Sequence, residues 1–194
     1  MKITAIETLR LGEFPNLLWV RIQTDEGITG LGETFFGAEA VEAYLHESAA
    51  PYLLGKDPFH IDRHARALTP YVGYRAAGVE GRGNSPIDIA LWDLFGRAVG
   101  QPIYQLLGGP SRERIRIYNT CAGYRYVRAR PAQEVRNWGL PEVSGEGPYE
   151  DLDAFLNRAG ELALSLREQG ITGMKIWPFD PYAEASGGLD ISPA

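Results

Sequence analysis

The sequence lacks the residues on which several common kinds of protein depend. It has a single cysteine, Cys121, in 194 residues, which excludes an internal disulfide framework and is typical of a reducing compartment. It contains no run of about 18 apolar residues, so no membrane-spanning helix is predicted. The N-terminus, residues 1–4, reads as an opening strand rather than a signal peptide. We therefore expect a cytoplasmic protein.

Lysine is also scarce, with three lysines beside sixteen arginines. The 19 basic residues are outnumbered by 25 acidic ones, which gives a formal net charge of −6. Because no basic patch interrupts this balance, neither nucleic acid nor a membrane surface is an expected partner. What the chain does have is 44% hydrophobic residues, enough for a buried core, and a length that allows one or two domains.

The first part of the chain predicts an antiparallel meander of three strands. Lys2–Leu11 alternates loosely, residues 12–16 break the pattern, and Leu17–Thr24 alternates clearly. A tight turn at residues 25–27 leads into a glycine-rich third strand, Ile28–Phe35. In the second strand the predicted core face consists of Leu18, Val20 and Ile22.

Helical periodicity follows the meander. It covers residues 38–54, begins again at the capping pair Asp57-Pro58, and continues to about Leu68. Residues 71–84 are rich in Gly and Arg and predict a loop or a frayed helix. Residues 85–88, Ser-Pro-Ile-Asp, are the sharpest helix start in the chain, and Gly100 ends that helix.

The last part predicts a strand, a helix and a second strand. Arg114–Asn119 is the first strand, and residues 126–149 form a long polar excursion. The helix covers Glu150–Gln169, and Met174–Trp177 is the next strand. This order is the unit of a parallel sheet or barrel. Such sheets need more than two strands, so we expect the chain to be a fragment of a longer protein.

Residues 85–109 read SPIDIALWDLFGRAVGQPIYQLLGG. This segment resembles the link between cap and barrel in the enolase superfamily, in its mandelate racemase and muconate lactonizing enzyme branch. The meander with Gly30-Leu31-Gly32-Glu33 extends the resemblance over essentially the whole chain. It implies an α+β cap domain over residues 1–112, and over residues 113–194 the incomplete beginning of a (β/α)₈ TIM-like barrel.

The resemblance also implies a chemistry, which is abstraction of a proton next to a carboxylate. The resulting enediolate holds two negative charges on one small group, so a Mg²⁺ ion and ammonium groups must stabilise it. We expect a homo-oligomeric enzyme that dehydrates an acid sugar. The alternatives are a racemase, epimerase or cycloisomerase, and an inert homologue. Family metal ligands end the third to fifth barrel strands, which this chain lacks, so no residue here is assigned to the metal.

Lys175 is the predicted catalytic residue. It matches the first lysine of the family's Lys-x-Lys at the end of the second barrel strand, and residues 175 and 177 share a face of that strand. The second position is Trp177, which departs from the family pattern. The resemblance therefore favours Lys175 as the holder of the substrate carboxylate, and a histidine from a later strand as the base. Alternatively, Lys175 is a lysine extended from a strand end into water.

Further residues are candidates for substrate binding. Asn119 and Cys121 end the first barrel strand on one face; Asn119 could bind a hydroxyl, and Cys121 is more typical of a buried apolar residue. Trp177 could form a pocket wall or simply pack under the next loop. Asp180 follows it, in a position more typical of a turn than of a substrate contact.

The cap contributes candidates as well. Glu13, Phe35 and Phe36 lie on predicted loops that close over the pocket in this family, although core packing is an equal alternative. Arg75, with Tyr74 and Arg82, lies in the Gly-rich segment. An arginine there could bind a carboxylate through two hydrogen bonds, although a surface arginine is the commoner case.

Two patterns predict no site. His60 and His64 are four residues apart, a spacing that can bind zinc, but no third ligand is evident and a solvated helix face is the expected structure. Gly30-Leu31-Gly32 lacks the third glycine and the following helix of a dinucleotide-binding motif.

Overall fold

The computed structural model describes residues 1–69, 78–122 and 150–179, together with Tyr182 and Ser186. The chain divides into two compact units, Met1–Ser111 and Arg112–Ala194. Within the described ranges, no helix has both the length and the apolar character needed to cross a bilayer.

The first unit opens with a three-stranded antiparallel sheet in the order β1-β2-β3, which confirms the predicted meander. The strands are β1 (Ile3–Leu11), β2 (Phe14–Thr24) and β3 (Thr29–Phe35). The predicted break between β1 and β2 is shorter than expected, since Leu11 already pairs with Phe14 across a two-residue turn. The predicted core face of β2 is correct, because Leu18, Val20 and Ile22 are fully buried.

The helices of the first unit cover one face of the sheet. They are α1 (Ala38–Tyr44), a π-helical turn (Leu45–Ala49), α2 (Ala50–Leu53), α3 (Ile61–Leu68), α4 (Gly78–Val99) and α5 (Ile103–Leu106). The buried side chains of these helices, to which α5 contributes none, join those of the sheet in one hydrophobic core. The Asp57 side chain accepts a hydrogen bond from the Phe59 backbone N–H at 2.9 Å, so the predicted start at Asp57-Pro58 is a turn before α3.

The start of α4 differs from the prediction. Ser85-Pro86 lies inside a helix that already runs from Gly78, so the local capping signal is misleading here. Tertiary contacts hold the turns before Pro86: the Asn84 side chain donates to the Leu68 carbonyl, and Tyr44 donates to Asn84. Contacts of this kind override a local propensity. Gly100, with a φ of 65°, ends the helix as predicted.

Close packing of β3 against α4 explains the Gly-Leu-Gly motif. A Cβ atom placed on Gly30 would lie 2.0 Å from the Ala90 carbonyl oxygen, and one on Gly32 would lie 1.9 Å from that of Pro86. Only glycine permits this approach of strand and helix backbones. The motif is therefore structural, as the absence of a dinucleotide fingerprint suggests.

His64 corrects the expectation of a solvated histidine face. Its side chain is only 1% exposed, with one ring nitrogen 2.8 Å from the Asp57 carbonyl oxygen and the other 3.2 Å from the Tyr52 hydroxyl. Burial of a polar ring is stable when both nitrogens are bonded in this way. His60 is exposed, so the pair does not share one environment.

The second unit contains α6 (Asp151–Asn157) and α7 (Ala159–Glu168). The single helix predicted over Glu150–Gln169 is thus broken at Arg158, whose backbone leaves the helical region at φ −144° and ψ 41°. Gly170, at φ 81°, closes α7 as expected. A small core of this unit gathers around Cys121, Leu152 and Phe155.

The two strands predicted for this unit are reduced to one parallel bridge between Asn119 and Met174. The parallel direction is as expected, but the ladder is shorter than the sequence predicts. Ile115 and Ile117, in the predicted first strand, are 74% and 61% exposed. Their side chains are therefore not buried against a neighbouring element, as those of a paired inner strand would be. Parallel strands are normally covered on both faces, which is not the case for these described residues. The excursion at 126–149 lies outside the described residues.

Candidate functional site

The parallel bridge of the second unit positions the best candidate site. The Asn119 N–H donates to the Gly173 carbonyl at 3.0 Å, and the Lys175 N–H donates to the Asn119 carbonyl at 2.8 Å. These two backbone hydrogen bonds pair Asn119 with Met174, so that Lys175 follows directly after the bridge, near the carboxyl ends of the two segments. In α/β barrels that edge carries the functional side chains.

Lys175 lies over the indole ring of Trp177, with its Nζ 5.4 Å from the ring centroid. The lysine is exposed, whereas Trp177 is half-buried and packs against the core around Cys121. Trp177 thus packs on the core of the second unit, while the face of its ring remains in reach of the ammonium; whether it lines a substrate pocket stays a prediction. A ring face attracts a cation, so this contact helps to hold the Lys175 ammonium in position.

Sequence reasoning missed Asp151, the first residue of α6. Its Oδ2 accepts a hydrogen bond of 2.7 Å from the side-chain Nδ2 of Asn119, and both residues are half-buried. A hydrogen bond to an ionised acceptor is shorter and stronger than a neutral one. The acidic run at residues 150–153 was the only available signal, and it is equally typical of an ordinary helix start.

Cys121 is buried, at 1% exposure, and its backbone adopts a φ of 39°. Burial raises the pKa of the Cys121 thiol, and the Asp151 carboxylate raises it further. Both effects disfavour the thiolate, which is the nucleophilic form. The expectation of a small buried residue rather than a nucleophile is consistent with this environment.

The first unit holds a second group of candidates. Phe36 adopts a φ of 79°, unusual for a bulky residue, and its ring is 46% exposed. Its N–H donates to the Asn16 carbonyl at 2.8 Å, while Arg82 donates to the Phe35 carbonyl at 2.6 Å and stacks 5.4 Å from the Phe36 ring. Arg82 thus anchors this loop from α4. Glu13 lies exposed in the turn between β1 and β2.

Other predicted positions cannot be placed. Tyr74, Arg75 and Asp180 lie outside the described residues. Among the residues that the structure does describe, no three His, Cys, Asp or Glu side chains come close enough together to hold a metal ion. The described part of the chain therefore does not fit a magnesium site, and no residue in it is assigned as a ligand.

Comparison with known proteins gives one consistent family. The model of the mandelate racemase / muconate lactonizing enzyme N-terminal domain matches residues 5–108. A D-galactonate dehydratase from Verminephrobacter eiseniae (strain EF01-2) is 42% identical over 127 residues, which are 64% of this chain and 32% of that protein. The chain thus spans about a third of this relative's length.

Two solved structures are similar to the chain. An enolase of the mandelate racemase subgroup from Agrobacterium tumefaciens matches with a TM-score of 0.76 and 52% identity, covering 99% of this chain and 43% of that one. An enolase from Pantoea ananatis, with bound D-gluconate and Mg, matches with a TM-score of 0.57 and 37% identity over 61% of this chain and 30% of its own.

The family model covers more than half of the chain and coincides with the three-stranded sheet and the helices packed on it. The carboxyl-edge arrangement of Asn119 and Lys175 follows that domain in the sequence, in the order expected for the start of the barrel. The chain belongs to the mandelate racemase/muconate lactonizing enzyme family.

Proposed function

We propose that the full-length protein dehydrates an acid sugar. The support is the family, the name of the D-galactonate dehydratase relative, and the D-gluconate bound to the Pantoea ananatis enolase. In this reaction a base removes the proton from C2, next to the carboxylate. The C3–O bond then breaks, and the hydroxyl leaves as water once it has taken up a proton. The enol that remains tautomerises to a 2-oxo-3-deoxy acid, so atoms and charge balance.

In this proposal Lys175 holds the substrate carboxylate. The observation that carries the assignment is the contact of its Nζ with the Trp177 ring, 5.4 Å from the centroid, beside the bridge to Asn119. The ammonium is exposed and can therefore meet a ligand. It would stabilise the negative charge that grows on the carboxylate as the proton leaves C2.

Trp177 favours dehydration over racemisation. A racemase needs a base on each side of C2, and an indole ring cannot accept a proton under ordinary conditions. We propose that the base is a histidine of a later barrel strand, and we assign it to no described residue. Trp177 is also compatible with a catalytically inert homologue. The substrate assay described below distinguishes an active dehydratase from an inert homologue.

We further propose that the full-length enzyme needs a divalent cation, as the Mg in the Pantoea ananatis enolase suggests. When bound, the cation would supply charge stabilisation for the carboxylate oxygens. We assign its ligands to no described residue, because the described residues do not fit such a site.

The role of the cap residues as substrate contacts stays a prediction. We propose that Phe35, Phe36 and Glu13, together with Arg75 outside the described residues, help to select the substrate. The Arg82 contacts with the Phe35 carbonyl and the Phe36 ring support an ordered loop at this position. A homo-oligomer and a cytoplasmic location remain predictions of the same kind.

The test is an assay of the full-length protein against a panel of aldonates and aldarates that includes D-galactonate and D-gluconate. We expect formation of a 2-oxo-3-deoxy acid from at least one of them, loss of activity with a chelator, and recovery on addition of Mg²⁺. Racemisation of mandelate-like acids without any dehydration would overturn the assignment. Inactivity against every acid, with and without Mg²⁺, would favour the inert homologue.

A further inference from the structure

The peptide group between Phe35 and Phe36 is held at both of its ends. Its carbonyl oxygen, which belongs to Phe35, accepts a hydrogen bond of 2.6 Å from Nη1 of Arg82 on α4. Its N–H, which belongs to Phe36, donates to the Asn16 carbonyl of β2 at 2.8 Å. Because the C=O and N–H of a planar trans peptide point in opposite directions, the two bonds together fix the orientation of this peptide group.

The conformation that these bonds maintain is a strained one. Phe36 has a φ of 79°, in a region that a bulky residue avoids because its Cβ approaches a backbone carbonyl oxygen. A flip of the peptide group by half a turn changes ψ of Phe35 and φ of Phe36 together. It would bring φ of Phe36 to about −100°, a value that any residue adopts. A relaxed alternative is therefore one peptide flip away.

Arg82 opposes this flip in two ways. Its guanidinium bonds the carbonyl in the observed state, whereas after a flip it would face an N–H, and two donors cannot bond each other. Its Cζ also lies 5.4 Å from the centroid of the Phe36 ring, where a cation is attracted. Arg97 on the same helix pairs with Asp93, but in the described part of the chain Arg82 has no such carboxylate. Its described contacts are those with this loop.

We propose that the Phe35–Phe36 peptide is a two-state switch and that Arg82 is its latch. A positive φ in a bulky residue persists only where the surrounding contacts impose it. Here part of that constraint comes from an exposed side chain, which can move away while the sheet and α4 stay folded. The inference concerns contacts within the first unit and does not depend on the proposed dehydration.

The alternative to be excluded is that Arg82 only fastens α4 to the sheet. In that case its loss would weaken the first unit as a whole. A latch, in contrast, should affect the amide of residue 36 and leave the amides of β2 unchanged. It should also matter less when residue 36 adopts a positive φ without strain, as glycine does.

The experiment measures hydrogen exchange of the amide of residue 36 in the full-length protein, by mass spectrometry at single-residue resolution. This amide exchanges when its bond to Asn16 opens, so its protection factor reports the population of the open state. The variants are Arg82→Ala, Arg82→Lys, and Arg82→Ala combined with Phe36→Gly. Arg97→Ala is the matched control, because Arg97 lies on the same helix and bonds to Asp93 instead.

We expect Arg82→Ala to lower the protection factor at residue 36 about tenfold to a hundredfold, the size of a lost hydrogen bond to a charged group. The β2 amides should keep their protection. Arg82→Lys, which retains a charged donor without the planar fork, should lose less. Adding Phe36→Gly to Arg82→Ala should restore protection about fivefold or more, because the strain is removed. Arg97→Ala should behave as wild type.

An unchanged protection factor at residue 36 in Arg82→Ala would overturn the latch. An equal loss at the β2 amides would show that Arg82 only stabilises the unit, and a further loss on adding Phe36→Gly would show that no strain is stored at this position. Arg82→Lys keeps the test decisive if the alanine variant folds poorly, since it too must lose protection at residue 36 and not in β2.

Discussion

At the scale of the residue, the account depends on one exposed ammonium. The Lys175 ammonium lies over the Trp177 ring, and the Lys175 backbone N–H donates to the Asn119 carbonyl; among the described residues the ammonium has no ion pair. A lysine held in this way can bind an anionic group without first breaking a salt bridge. This arrangement supports the proposed role of Lys175 as the carboxylate holder.

The Lys175→Met variant should therefore lose substrate binding. Removal of the charge should lower kcat/KM for the acid sugar roughly tenfold to a hundredfold, as for a lost hydrogen bond between charged groups. Lys175→Arg should retain part of the activity, because the positive charge stays while the geometry changes. Steady-state kinetics of the full-length enzyme give the ratio of kcat/KM in each variant to that of the wild type.

Lys56→Met is the matched control for that measurement. Lys56 makes the same type of contact, with its Nζ 4.3 Å from the centroid of the Tyr52 ring, but it lies between α2 and α3 of the first unit and belongs to no candidate site. Its kinetics should equal those of the wild type. An equal loss in both lysine variants would mean that ring stacking, not carboxylate binding, explains the effect.

The thiol of Cys121 provides a pH-dependent prediction. Burial and the Asp151 charge raise its pKa, so the thiolate fraction near neutral pH is smaller than in an unfolded chain. Alkylation of the Cys121 peptide should be slow in the native protein, and its rate should rise only above the usual pH range of thiols. Asp151→Asn removes a negative charge, which lowers the pKa and should shift the alkylation profile to lower pH. Peptide mass spectrometry measures the alkylation rate of Cys121 against pH in the wild type and in Asp151→Asn.

The control for the alkylation profile is the denatured protein, in which wild type and Asp151→Asn should react alike. A native thiol that reacted as fast as the denatured one would contradict the buried environment of Cys121. An unchanged profile in Asp151→Asn would contradict the electrostatic effect of Asp151 alone.

At the scale of the element, the contact of β3 with α4 is the structural centre of the first unit. Gly32 should not tolerate alanine, because its Cβ would lie 1.9 Å from the Pro86 carbonyl oxygen, a backbone atom that cannot rotate away. We expect Gly32→Ala to lower the free energy of unfolding by about 3 kcal/mol, at the upper end of typical overpacking. Urea denaturation measures the change.

Gly12→Ala serves as the control, since an added Cβ at Gly12 meets no atom within 4 Å. It should change stability by no more than about 0.5 kcal/mol, as is usual for surface substitutions. A stable Gly32→Ala variant would show that strand and helix can separate, and the close approach would then not be required for the fold.

Much of the first unit could be predicted because its signals are local. Alternation in Leu17–Thr24 identified the buried face of β2, and Gly100 marked the end of α4. The start of α4 could not be predicted, because it depends on hydrogen bonds of Asn84 with Leu68 and Tyr44, which are distant in sequence. The buried position of His64 depends on Tyr52 and Asp57 in the same way.

The candidate site was predictable only in part. The strand pattern and the resemblance identified Lys175, Trp177 and Asn119, because the chain order places them at segment ends. Asp151 was missed, since its partner Asn119 is 32 positions away and an acidic helix start is common. The break at Arg158 was hidden as well, because the apolar stripe of the predicted helix continues across it.

At the scale of the whole molecule, the chain represents less than half of the proteins it resembles, with 43% coverage of the Agrobacterium tumefaciens enolase. The described residues include Lys175, the proposed holder of the substrate carboxylate, but neither a metal site nor an assigned base. The account therefore predicts that these residues help to bind the substrate in the full-length enzyme, and it assigns the base and the metal ligands to none of them.

The most direct test of the central claim is proton NMR of D-galactonate incubated with the full-length enzyme and Mg²⁺ in D₂O. The account predicts that the C2 proton signal disappears and that new C3 signals of a 2-oxo-3-deoxy acid, carrying solvent deuterium at C3, grow at the same rate. Exchange or inversion at C2 with every hydroxyl retained would contradict it.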